Sequence, residues 1–193
     1  IENLNNLFYL KKYSIENYLV SKTAIYEVIR AKNSRLKDAD IDALFDFDNL
    51  LNTAAHCLKE ISSSFIIIQK HGLGLSYYGL NCSRDFDFST HLPTYRMNFI
   101  SNFLMGVERE LKIKDSRFSL QGQIKKLKKY FKDLVLAICN IPGKYILTFI
   151  KDRLQTLNLI NQMNVESFTY VLSKDFQSNE LNYLRTKISN YVS

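Results

Sequence analysis

Six glycines and two prolines in 193 residues leave this chain few places at which to turn. Such scarcity favours long helices over the many tight corners that a sheet requires. The apolar residues agree. Ile25, Val28, Ile29 and Leu36 suggest a helix over Ser21–Lys37, with Ser21 or Thr23 at its cap. Ile41, Leu44, Leu51, Ala54, Ala55, Leu58 and Ile61 recur at three- and four-residue steps, which predicts one amphipathic helix starting at Asp38–Asp42 and running towards Lys70. Within it Phe65–Ile68 reads as helix or as a buried β-branched strand, with helix preferred. His71–Gly72 ends the pattern, and an irregular region extends to about Pro93. Phe99, Phe103, Val107 and Leu111 mark a helix over Tyr95–Leu111, and Ser119–Asn140 is expected to be the longest of all. Ile141–Pro142–Gly143–Lys144 stops it, Tyr145–Leu157 opens the next, and Glu166–Leu172 and Asn179–Val192 close the chain. The expected fold is mainly α, and 46% hydrophobic residues suffice for a substantial core.

The N-terminal stretch differs. Leu7–Leu10 is a short apolar run that reads as the end of a buried strand, followed by two lysines and then Ser14-Ile15-Glu16-Asn17-Tyr18-Leu19, which opens a helix. The Ser14 hydroxyl is placed to accept a bond from a first-turn amide, and Glu16 lies in the positive end of the helix dipole. Glu16 is therefore either a plain helix-capping acid or, at a strand-to-helix switch, a cation-binding one. A strand needs a sheet, and residue 1 is Ile. The expectation is that the chain is the C-terminal part of a longer protein.

The phrase from Tyr13 to Leu19 resembles the signature of a family related to the OLD nucleases, whose catalytic core is a Toprim domain and which includes PARIS-type antiphage effectors. The family's pattern is Asp-x-Ser-x-Glu. Lys12, Ser14 and Glu16 hold those three places here, so the first acid is absent. The resemblance implies that residues 1–20 end a Toprim-like α/β core that is largely missing and that residues 21–193 form a helical domain. It implies Mg2+- or Mn2+-dependent phosphodiester hydrolysis beside an ATPase partner, the metal held mostly upstream and in part by Glu16. A Gly-Lys element late in such proteins carries a lysine towards the scissile phosphate. Gly143-Lys144 resembles it, which makes Glu16 and Lys144 the candidate catalytic pair. By this reading the 193 residues alone are inactive.

Charge and spacing bear on the same question. A net charge of +7 suits a phosphate-rich partner, DNA or RNA, or else describes a solvated lysine surface. Lys125, Lys126, Lys128, Lys129 and Lys132, with Tyr130 among them, are the densest positive patch and the candidate nucleic-acid-binding residues. Lys144 at a helix start suits an anion, although the P-loop pattern is absent. Asp46-Phe47-Asp48 falls in a helix, where positions two apart diverge by about 200°. Asp85-Phe86-Asp87 can share a cation only from a loop or strand end, and neither pair lies where the family's acids do. No Cys or His spacing predicts zinc. Three scattered cysteines and the absence of a long apolar run suggest reduced thiols in a cytoplasmic protein that is not a membrane protein. An unpaired Leu7–Leu10 edge leaves pairing with a second copy open. The alternative function is a non-catalytic helical module that binds a protein or nucleic acid.

Overall fold

The computed structural model describes residues 14–87, 94–96 and 99–174. The Leu7–Leu10 strand, the Asn179–Val192 helix and the Cys82–His91 region beyond Asp87 lie outside them, as does Lys12.

The described residues are mainly helical, as the scarcity of breakers predicts. A 3-10 turn, Ile15–Tyr18, leads into α1 (Lys22–Lys32), capped at Ser21. Next come α2 (Asp38–Leu44) and α3 (Phe47–His71). These are two helices where the apolar stripe suggested one. Asp46 separates them by taking the N-cap of α3, its carboxylate accepting from the Asn49 amide at 2.9 Å. Asp46 and Asp48 are therefore cap and first-turn residues rather than a helical pair. The α3 helix ends where Gly72 takes a left-handed conformation (φ 57°) and the Leu73 amide returns to the Ile68 carbonyl. Phe65–Ile68 is helical.

A short turn, α4 (Cys82–Asp85), precedes a two-residue antiparallel ladder of β1 (Phe86–Asp87) and β2 (Thr94–Tyr95). Tyr95 thus belongs to the ladder, and α5 (Phe99–Lys114) starts later than expected. The Ser119–Asn140 helix is overturned. It is three pieces: α6 (Leu120–Lys126), a 3-10 turn at Lys128–Phe131, and α7 (Leu134–Asn140). Asp133 breaks it by accepting from the Leu136 amide at 2.9 Å, which starts a new helix in mid-stripe. Phe131 before the break and Ala137 after it are both buried. After α8 (Gly143–Thr156) comes α9 (Val165–Ser173), close to its expected span.

At 25 residues, α3 is the longest described helix and the axis of the fold, packing against α5, α6, α7 and α8. It is buried on almost every side from Ile61 to Phe65, where Ser62, Ser63 and Ser64 occupy buried positions. Ser62 and Ser64 return their hydroxyls to the Leu58 and Glu60 carbonyls. Burial pushes the Cys57 thiol up to about 11. The first 3-10 turn and α9 each pack against α8. Tyr18 and Leu19 are buried, and Leu19 joins the common core, so residues 14–19 pack as part of the helical body.

Candidate functional site: the junction of the two sequence motifs

The stretch Ser14–Asn17 and the turn Pro142–Lys144, more than 120 residues apart, are in contact. Proline explains why. The carbonyl of Ile138, near the end of α7, would normally receive an amide hydrogen four residues on, but residue 142 is proline and has none. The chain bends there by 110° into α8. Asn17 supplies the missing donors. Its side-chain amide donates to the Ile138 carbonyl at 2.7 Å and to the Ile141 carbonyl at 2.8 Å. Its oxygen accepts from the Ser14 amide at 2.9 Å and from the Ser14 hydroxyl at 2.8 Å. All four positions of a fully buried amide are used.

Ser14 does not cap its own turn through its hydroxyl as expected. That oxygen accepts from the Gly143 amide across the junction, at 3.2 Å. Gly143 has no alternative residue here. A Cβ would lie 2.4 Å from the Asn17 nitrogen and 2.7 Å from the Glu16 carbonyl carbon, both backbone atoms. The first turn of α8 therefore lies directly on the backbone of Glu16 and Asn17.

This contact sets the Glu16 backbone against Gly143, the residue before Lys144. The side chains of Glu16 and Lys144 do different things. Glu16 is half-buried and its carboxylate has no partner among the described residues. Lys144 extends towards α9 and donates to Glu166 at 2.8 Å. That ammonium holds the Glu166 carboxyl below its ordinary range. The α8 start is therefore not an open anion site, since Ser14 takes its first amide and Glu166 takes its lysine. Lys144 and Glu166 line a cleft between α8, α9 and residues 79–81, which Thr148, Lys151 and Asn164 also line and Glu16 does not. Lys151 is itself paired with Asp152 and with Gln155.

Divalent metal does not fit the described residues. Among them no three of His, Cys, Asp and Glu converge to hold an ion. One glutamate is not a Mg2+ or Mn2+ site. The Asp-Phe-Asp segment offers none either, because Asp85 is fully buried and engaged. It accepts from the Tyr78 hydroxyl and the Asn81 amide, each at 2.8 Å, and from Arg84 at 2.6 and 3.0 Å. Burial, and then the Asp85 charge, push the Tyr78 phenol up to about 12.

The five lysines form a separate surface. Because α6 ends at Lys126, they lie around a corner rather than along one helical face. All five are exposed, and none pairs with an acid among the described residues. No single described helix is long and apolar enough to cross a membrane.

Asn17 is the residue that sequence reasoning missed. The spacing Ser14-x-x-Asn17 is close to the capping-box pattern, a signal that was available. That its partners would be carbonyls beside Pro142 was not. No family model, curated protein or solved structure matches the chain.

Proposed function

We propose that this chain is the helical part of a Toprim/OLD-like, metal-dependent nuclease that acts with an ATPase partner, and that its lysine corner meets nucleic acid. The observation that supports this reading is the contact of the Ser-Ile-Glu-Asn segment with the Gly-Lys turn. It gathers the two elements on which the resemblance rests, although nothing in their separation along the chain required it. In this reading Glu16 orients groups at the edge of the missing core. Lys144 exchanges its bond to Glu166 for a phosphate oxygen and steadies negative charge there. The metal would rest on acids outside the described residues, and no step is derived through it.

A second reading, a non-catalytic binding module, draws on a different observation. Lys144 is already satisfied by Glu166, and Glu16 stands alone as an acid at the junction. Cleavage assays separate the two. Full-length protein with magnesium or manganese should hydrolyse DNA or RNA, and Glu16→Ala and Lys144→Ala should each abolish cleavage with the helical signal unchanged. Full activity in both variants, or none in the parent protein, removes the nuclease reading. Reversing Lys125, Lys128 and Lys132 to glutamate should weaken nucleic-acid binding and flatten its salt dependence. An unchanged slope would leave the corner a solvated surface.

A further inference from the structure

The lysine corner carries more than charge. Tyr130, inside the lysine run, is 38% exposed, and Val135 and Leu136, at the start of α7, are 71% and 38% exposed. The Asn140 side chain ties these together, donating to the Tyr130 carbonyl at 3.0 Å and the Leu136 carbonyl at 2.8 Å. The backbone that carries the aromatic residue in the lysine run is thus braced to the backbone that carries the two aliphatic residues just after it. The only acid between Ser119 and Pro142 is Asp133, and it is occupied as the α7 cap. One face of Tyr130 is held by Lys129, whose ammonium lies 5.1 Å from the ring centre.

Five lysines with no acidic partner among the described residues suit a polyanion. A duplex turns its phosphates outward and keeps its base faces stacked inside, so it offers an exposed aromatic ring no base face to stack on. A single strand presents both, with phosphates for the lysines and base faces for an aromatic platform. We infer that the corner formed by α6, the Lys128–Phe131 turn and the start of α7 binds single-stranded nucleic acid in preference to duplex, with a base stacked on Tyr130 and the lysines on the flanking phosphates. This rests on the reading that the corner meets nucleic acid, and it names which form.

The test is anisotropy of the 193-residue chain with a labelled single strand and with the duplex made from it, together with sedimentation with phosphatidylserine vesicles. Tyr130→Ala should weaken single-strand binding roughly fivefold or more and leave duplex binding unchanged. Val135→Ser, at a more exposed position, should act in the same direction should Tyr130→Ala disturb the fold. Equal affinity for both forms, or an equal loss on both in Tyr130→Ala, overturns the single-strand inference while leaving nucleic-acid binding intact. Failure of the triple lysine reversal to weaken either form removes the underlying reading as well. Binding to vesicles without binding to either nucleic acid overturns both in favour of a membrane surface.

Discussion

Replacing Asn17 with alanine should be among the most damaging single changes available in this chain, although the residue belongs to no conventional chemistry. The side chain is fully buried and makes four hydrogen bonds. Its removal leaves the Ile138 and Ile141 carbonyls without their donor, and Pro142 has no amide to replace it. A buried polar group left unpaired costs about 1–3 kcal/mol. Two such groups give a range of about 2–6 kcal/mol, and water entering the vacated space offsets part of it. About 3 kcal/mol is the expected loss, set against the total of about 5–15 kcal/mol typical of folded domains. At about 2–4 °C per kcal/mol for a chain of this size, the midpoint should fall by about 6–12 °C. Thermal and urea unfolding followed by far-ultraviolet circular dichroism measure this directly. Asn17→Asp keeps the acceptor towards Ser14 but turns oxygen towards both carbonyls. It should lose at least as much near neutral pH and recover partly in acid, as the carboxyl gains a proton to donate. Glu16→Ala, at the adjacent half-buried position, should stay within about 0.5 kcal/mol of the parent. A loss below about 1 kcal/mol for Asn17→Ala, or an equal loss for Glu16→Ala, would refute the assignment of the junction to the Asn17 amide.

Further outcomes follow from neighbouring geometry. Gly143→Ala places a methyl group against the Asn17 and Glu16 backbone, which cannot step aside as a flexible side chain would, and should cost about 2–3 kcal/mol in urea unfolding. It should also expose the 14–19 segment to proteolysis before the rest of the fold. Asp85→Asn replaces a buried carboxylate that accepts from Tyr78, Asn81 and Arg84 with an amide that must turn one donor towards them, and a loss of about 1–3 kcal/mol is expected by the same measurement. The phenol of Tyr78 ionises at about 12 in the fold against an ordinary 10, so the folded state favours its neutral form. That contribution is fully present below pH 10 and is lost as pH rises towards 12, so stability should fall more steeply over that window in the parent protein than in Tyr78→Phe.

Much of this architecture was determined by residues acting over a few positions. Glycine and proline scarcity, and the three- and four-residue spacing of Ile25, Val28, Ile29 and their later counterparts, establish a helical fold without reference to any distant contact. Gly72 ends α3 because its left-handed conformation is a local property. The breaks at Asp46 and Asp133 were local too, but the apolar stripe runs through both. An N-cap aspartate inside a continuous stripe has the composition of a helical one, so the stripe concealed it. The core accepts residues on both sides of the second break, as Phe131 and Ala137 show by being buried before and after it.

The junction was a tertiary decision. Ser14, Glu16 and Gly143-Lys144 stood out individually, yet hydrogen-bonding capacity does not specify its partner. Asn17 has two donors and an acceptor that any buried carbonyl or amide would satisfy. The 110° bend at Pro142 presents two carbonyls short of donors, and the absence of a side chain at Gly143 lets the 3-10 turn approach closely enough to reach them. Lys144 was likewise legible as a cation at a helix start. Its partner Glu166 was not, because the packing of α9 against α8, and not the spacing of 22 residues, sets the 2.8 Å between them.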